Sequence, residues 1–429
     1  MVITGVLSFE DPLSYPQVQE LFRTRFLRYR RFRQRLQRPR WPLGRLRWVD
    51  DESFSLENHL HLAQLPPPAD RTAMQELVSE LMSESLDPAR PLWQIHFVPE
   101  FQGGCALVAR LHHCIADGIA LIRVLLTLDD TPGNETATAT WWERTHRSRS
   151  PAALRGARGL GRTSAKGGRI AAGLSAGGAV AGSLGRLVTM PFDEPTLLQG
   201  PLVTRKRAAW SEPLPLEEVK RIGQAASATV HDVLATCAAG AIREYLLEHG
   251  QRLDRRGIRA VVPVSLRSAE EENPLGNLFG LVFLSLPVQV ADPLARLRAV
   301  QTSMTDLKRS AEPVVVFGLL TVFGRILRPF LGLIVAFLGK KATLVMTDVP
   351  GPKDAITFCG SRLNGLMAWV PQAGRLGLGV TLLSYAGQLQ VGVAADERLI
   401  PDPDAVVRSC ERALRELQER LLPTPAGAG

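Results

Sequence analysis

The chain runs to 429 residues, 45% hydrophobic and 22% charged. That balance excludes collagen-like and wholly disordered chains and leaves length for two large domains or three ordinary ones. The formal net charge of +9 is local: residues 21–49 hold 11 Arg and no acid, residues 144–192 hold nine Lys/Arg and no acid, and elsewhere acids outnumber bases 42 to 31, which points those two segments toward an anionic partner.

The first half opens on an alternating, strand-like VITGVLSF. A helix is predicted from Tyr15 to about Leu36, and a second over 70–86, starting near Asp70 with leucines at helical spacing. Strands are predicted at 93–98 and 106–111, then an apolar helix over 118–128. Residues 144–192 read as an interdomain linker, with ten Gly, nine Ala and no aromatic before Phe192, a composition too poor in bulky groups to build a core. Beyond it, helices are predicted at 216–226, 231–248, 292–309 and 403–421, and strands at 259–264, 281–290, 378–384 and 388–394. Strands and helices interleave in both halves, giving an α/β protein of two sheet-containing domains, 1–143 and 193–423, with a disordered tail at 424–429.

The longest apolar region, 313–338, is interrupted by Arg325, Arg328 and Pro329, so it falls short of the ~20 uninterrupted residues of a spanning helix. It reads either as a buried helix pair or as a membrane-resting or acyl-chain-lining element. The five cysteines are scattered without C-x-x-C spacing, which argues for a reducing compartment and against a disulfide framework or a metal site. The N-terminus lacks a basic n-region and a long apolar h-region, so a cytosol-facing protein is expected. Two look-alikes fall in the linker: Gly173-Leu174-Ser175-Ala176-Gly177 fits G-x-S-x-G, and Gly156 to Thr163 nearly fits a P-loop. Neither follows a β-branched run that would hold its turn, and neither is taken as a site.

Chemistry concentrates at Ala106 to Gly118, where an alternating strand runs into His112-His113, followed by Cys114 and then Asp117-Gly118 at the mouth of an apolar helix. Successive strand residues face opposite sides, so one imidazole can serve a cleft while the other packs behind. Neutral imidazole is the side chain best matched to general-base work at neutral pH. Asp117 also fits a plain N-cap, and Cys114 reads as packing. In 21–49, Phe22, Phe26, Tyr29, Phe32, Trp41 and Trp48 interleave with arginine. No nucleic-acid-reading motif accompanies them; a lipid headgroup interface, the phosphates of a cofactor-like substrate or a solvated helix face remain.

This H-H-x-x-x-D-G pattern resembles that of acyltransferases similar to chloramphenicol acetyltransferase, of condensation domains, and of bacterial wax ester synthase/diacylglycerol acyltransferases. Further blocks resemble the last group: Pro91-Leu92-Trp93; Thr229 to Ala235 with His231-Asp232; Pro263 to Arg267; Gly276-Asn277; Val349-Pro350-Gly351-Pro352; and Ser384-Tyr385-Ala386-Gly387 followed by Asp396. Two positions depart from the family pattern, His231 and Asp348, each standing where Asn is usual.

The resemblance implies two chloramphenicol-acetyltransferase-like domains, each a mixed β-sheet with helices, and an active site in the cleft between them. It implies transfer of a long-chain acyl group from acyl-CoA to a fatty alcohol or diacylglycerol, with no cofactor and no acyl-enzyme. His113 would be the general base, with His112 supporting and Gly118 part of the motif. Asn277 is a candidate oxyanion donor, and Asp117 would pair structurally with Arg267. Trp93, His231, Asp232 and Asp348 are candidate orienting or substrate-binding residues, His231 reading more as structural. A cytoplasmic enzyme resting peripherally on the inner membrane or lipid droplets would follow. The alternatives are an acyltransferase or condensation enzyme of secondary metabolism, or a non-catalytic lipid-binding protein of the same fold.

Overall fold

A computed structural model describes residues 1–37, 46–130, 182, 185–253, 257–266, 275–309, 315–318, 331–372 and 374–422. The first half forms β1 (Val2–Phe9), α1 (Tyr15–Thr24), β2 (Gln34–Gln37), β3 (Arg47–Asp50), β4 (Leu60–Leu62), α2 (Arg71–Ser83), β5 (Trp93–Phe101), β6 (Gly104–His112) and α3 (Gly118–Leu126). The second half forms β7 (Lys206–Trp210), β8 (Leu214–Pro215), α4 (Leu216–Ala225), α5 (Val230–Glu248), β9 (Ile258–Ser265), β10 (Phe279–Leu286) and α6 (Pro293–Arg309). It continues with α7 (Leu331–Gly339), β11 (Leu344–Pro350), β12 (Thr357–Phe358), β13 (Ser361–Trp369), β14 (Leu378–Tyr385), β15 (Gln388–Asp396) and α8 (Pro403–Leu421). The linker up to residue 181, both look-alike motifs, Arg267, most of 313–338 and the tail lie outside the described residues.

Two large sheets result. One is ordered β12-β13-β1-β6-β5-β4; the other is β10-β9-β11-β14-β15-β7, with β8 also on β15. The expected division into 1–143 and 193–423 does not divide the sheets, because β12 and β13 from the second half complete the first one. Trp369 at the end of β13 then stacks edge-on against Trp210, 5.2 Å between ring centroids, and donates from Nε1 to the Ala209 carbonyl at 3.2 Å. The second sheet is mixed: β9–β11 and β11–β14 run parallel, the other pairs antiparallel.

The predicted helix 15–36 stops at Thr24. Beyond it, two 3-10 turns carry Phe26 and Phe32 inward, where both pack on the fully buried Trp93. Phe22, Phe26 and Phe32 are thus core residues, which takes these three rings out of the headgroup interface that was one of the readings left open for this segment, because burying a ring stabilises far more than presenting it to water. Several arginines of this stretch are engaged at the surface: Arg23 with Glu57, Arg25 with Asp130, Arg30 with Asp50, and Arg31 over the Trp48 ring. Strand 281–290 ends at Leu286, since Pro287 cannot donate to the ladder.

Two sequence blocks resolve into one backbone contact. Ala386 and Gly387, both at positive φ, make the tight turn between β14 and β15. Gly351 lies under it and donates to the Ser384 carbonyl at 2.7 Å. A Cβ on Gly351 would stand 2.3 Å from that oxygen, so only glycine permits the approach.

Candidate active site

Strand β6 ends at His112, and alternation turns the two histidines apart. The His112 ring faces the chain's amino end: Nδ1 accepts from the Cys114 N–H at 3.2 Å, and Nε2 lies 3.3 Å from the Met1 nitrogen. Burial, with the nearby N-terminal ammonium and His113, pushes its pKa down to about 4. His113 turns the other way and lines a cavity of about 220 Å³ between the two sheets. The wall is mostly apolar, drawn from β1, β6, α3 and β13 on the side of the first sheet. The polar groups are His113, Asp117, Ser265, Thr347, Asp348 and Thr381.

His113 is tethered from the other half of the chain. Asn277 Nδ2 donates to the His113 carbonyl at 2.7 Å, and Asn277 Oδ1 lies 3.1 Å from His113 Nδ1. A carbonyl oxygen only accepts, so the amide NH2 must face it, and this turns Oδ1 toward the ring. Oδ1 in turn accepts only from a protonated Nδ1. The tether therefore selects the tautomer with its lone pair on Nε2, on a side chain that lines the cavity. Burial pushes the His113 imidazole below its ordinary value, opposed by the Asn277 hydrogen bond and the charge of Asp117. Asn277 was expected as an oxyanion donor; its amide is instead spent on holding the histidine.

Asp117 does two jobs. Oδ1 accepts from the Ala120 N–H at 2.9 Å and caps α3, while Oδ2 accepts from the Leu278 N–H at 3.1 Å. Around it the Asp117 N–H donates to the Gly276 carbonyl, and the Gly276 N–H donates to the Ile115 carbonyl. The histidine loop is thus clamped to 276–278 through backbone groups. The expected partner Arg267 lies outside the described residues. Gly118 opens α3 on the cavity wall, with nothing within 4 Å of where a Cβ would stand.

The remaining sequence candidates separate. Trp93 does not reach the cavity; it is fully buried, donates to the Phe32 carbonyl at 2.8 Å, and stacks on His59 at 4.6 Å. Asp232 is the third residue of α5, and its Oδ2 accepts from the N–H and the hydroxyl of the cap residue Thr229, so it fixes the helix start. Its neighbour His231 pairs through Nε2 with Asp348 Oδ2. Cys114 packs against the first core, and burial pushes its thiol up to about 11, which leaves no thiolate near neutral pH.

Sequence reasoning missed the wall supplied by β11 and β13, including Thr347 and Leu366 to Trp369, as well as Phe279, whose ring lies 5.4 Å from that of His113. The run LVMTDVP of β11 is the unbroken, mostly apolar pattern of a strand buried on both faces and was legible as such. Among the described residues, no three His, Cys, Asp or Glu side chains gather as a metal site.

Residues 2–234 match the model of the wax ester synthase/diacylglycerol acyltransferase catalytic domain, and residues 275–418 match that of its C-terminal domain. The chain belongs to this family. It is 30% identical over 394 residues to a probable diacylglycerol O-acyltransferase of Mycobacterium tuberculosis and to a putative one of Mycobacterium bovis, covering 90% of this chain and 84% of each relative. Among solved structures it is similar to the wax ester synthase/diacylglycerol acyltransferase of Marinobacter aquaeolei VT8, with a TM-score of 0.68 at 22% identity, covering 98% of this chain and 95% of that one. A condensation domain of the calcium-dependent antibiotic synthetase shares the fold at TM-score 0.61 and 16% identity, covering 99% and 92%. The chain is an acyltransferase of the wax ester synthase/diacylglycerol acyltransferase type.

Proposed function

We propose that this acyltransferase takes its acyl group from an acyl-CoA and passes it to the hydroxyl of a long-chain alcohol or a diacylglycerol, with His113 as the base and no cofactor. The observation that carries the reading is the Asn277 tether, which presents the acceptor nitrogen of His113 on the wall of an apolar cavity. Nε2 takes the hydroxyl proton as the oxygen bonds to the thioester carbonyl carbon. When the tetrahedral intermediate collapses, the C–S bond breaks, and the imidazolium returns the proton to the leaving thiolate. No nucleophilic serine or cysteine is needed.

The same reading includes peripheral work at the inner membrane or a lipid droplet, from the cytoplasm. It is supported by the exposed Leu333 and Val335 on α7 and the exposed Val188 and Phe192 near it, with Lys340 5.8 Å from the Phe192 ring, and by the free cysteines. Among the described residues, no single helix is long and apolar enough to cross a membrane. The test is incubation of the purified protein with hexadecanoyl-CoA and either hexadecanol or dihexadecanoylglycerol, following thiol release and identifying the ester. Stoichiometric thiol and wax ester or triacylglycerol are expected; thiol release without ester in both mixtures would overturn the reading.

A further inference from the structure

Helices α5, α6 and α8 cover one face of the second sheet, with Leu344, Met346, Val380 and Leu382 packed among their apolar residues. The neighbours Thr347 and Thr381 point the other way and line the catalytic cavity. Where the three helices meet they leave a separate cleft of about 630 Å³, lined by four arginines and three glutamates. Arg296 is the most deeply set of them, 4% exposed. Its guanidinium makes one hydrogen bond among the described residues, 3.4 Å from Nη2 to the Ala291 carbonyl, and the buried Nε has no partner. A guanidinium carries five N–H donors, and a native fold rarely leaves buried donors unused.

The packing makes room for this charge. Gly240 lies in the middle of α5, where glycine weakens a helix. A Cβ there would stand 3.0 Å from Arg296 Nη1, 3.2 Å from its Cζ and 3.2 Å from the Ala413 Cβ on α8. Small residues on two helices thus admit a charged group where an apolar side chain would pack at less cost. The other charges leave Arg296 available. Arg412 is held by Glu244, 3.1 Å from Nε and 2.6 Å from Nη2, and Arg243 Nη1 donates to the Val288 carbonyl at 2.9 Å. Glu416, exposed on α8, offsets part of the Arg296 charge from beyond ion-pair contact. Positive charge exceeds negative by one across the lining, which favours a singly charged guest over a dianion. A guanidinium is the cation best shaped to hold two oxygens of one group.

We propose that this cleft is a second binding site, which takes a singly charged oxyanion on the Arg296 guanidinium. A carboxylate and a phosphodiester share that chemistry, each presenting two oxygens and one charge. Arg415, exposed on α8 at the same cleft, adds attraction without a buried contact. The site is separate from the cavity of His113, and the inference does not depend on the acyl-CoA reading.

The test titrates the purified chain with hexanoate, diethyl phosphate and inorganic phosphate at fixed ionic strength, by calorimetry and by thermal melt. The proteins are the natural chain, Arg296→Met, Gly240→Ala and Arg415→Gln. The natural chain is expected to bind hexanoate or diethyl phosphate saturably, at roughly millimolar Kd, with a matching rise in melting temperature. The tighter of the two names the source. Arg296→Met and Gly240→Ala should each weaken binding by about 10-fold or more, the scale of one hydrogen bond to a charged group. Gly240→Ala does so with every charge kept, by pushing the guanidinium aside. Arg415→Gln should weaken it by only about 2- to 3-fold, as an exposed charge does. Without anion, Arg296→Met should melt no lower than the natural chain, since an apolar side chain replaces an under-bonded buried charge. No saturable binding by the natural chain overturns the inference and assigns the cleft to water. Binding unchanged in Arg296→Met and Gly240→Ala overturns it by placing the anion elsewhere, the catalytic cavity included. An Arg296→Met chain that melts well below the natural one also overturns it, by making the arginine a structural partner of Glu416. Inorganic phosphate bound more tightly than both monoanions would overturn the assignment of charge.

Discussion

Removing the Asn277 side chain should separate the orientation of the base from its presence. Asn277→Ala deletes two hydrogen bonds, 3.1 Å to the ring and 2.7 Å to the carbonyl of His113. At ~0.5–1.5 kcal/mol net for each bond, ~1–3 kcal/mol of positioning free energy is lost. If that free energy is felt only when Nε2 must be the acceptor, kcat falls by roughly 5- to 150-fold. The untethered ring is free to carry its proton on Nε2, which removes the base from a fraction of molecules. Initial rates by thiol release, with a thermal melt of the same sample, provide the assay. Asn277→Asp adds a second readout: a carboxylate beside Nδ1 favours the imidazolium and raises the His113 pKa, so the acid limb of the kcat profile should move to higher pH. Unchanged kcat with a raised KM in Asn277→Ala, or an unmoved acid limb in Asn277→Asp, would refute the tether as the device that sets the tautomer.

Asp117→Asn cannot accept well from both the Ala120 and Leu278 N–H groups; unfolding stability should fall by about 1–2 kcal/mol and kcat with it, read by denaturant titration and turnover together. Gly118→Leu meets no atom within 4 Å at its Cβ but grows into the cavity; the melting temperature should hold or rise slightly, since glycine is a poor helix former, while KM for long-chain substrates increases. His96 and His112 are both pushed down to about 4, chiefly by burial. Because the unfolded chain protonates them first, their contribution to stability is complete above the unfolded value of ~6.5 and is lost as pH falls from there toward ~4; melting temperatures flat across that window would contradict this.

Much of the fold was legible wherever the pattern is local. Strand 2–9 and the β5–β6 hairpin alternate, and helix 403–421 matches the structure at both ends. The helix predicted to Leu36 ran too far because Phe26 and Phe32 continue a helical spacing, while the buried Trp93 makes it more favourable to break the helix and turn both rings inward. Strand β13 escaped because what it joins is remote: its partner β1 lies at the other end of the chain. The site shows the same limit. The residue types at 112, 113, 117 and 118 were readable as a constellation, but the role of Asn277 depends on a contact 164 residues distant in sequence. The pairing of His231 with Asp348 was likewise invisible to spacing, although both had stood out one by one as departures. Trp93 drew notice as part of a sequence block, and its place in the core shows that such a block can mark a structural pillar rather than a substrate contact.

The most direct measurement of the central claim compares His113→Ala with His112→Ala, each folded by thermal melt, in hexadecanoyl-CoA and hexadecanol turnover. His113 lines the cavity and is held in the base tautomer, whereas His112 faces the amino end of the chain. The expected result is a ~10²–10⁴-fold loss of kcat for the His113 variant, the usual contribution of a general base, and a much smaller loss for the His112 variant. A His113 variant that keeps most of its turnover while the His112 variant is dead would contradict the account.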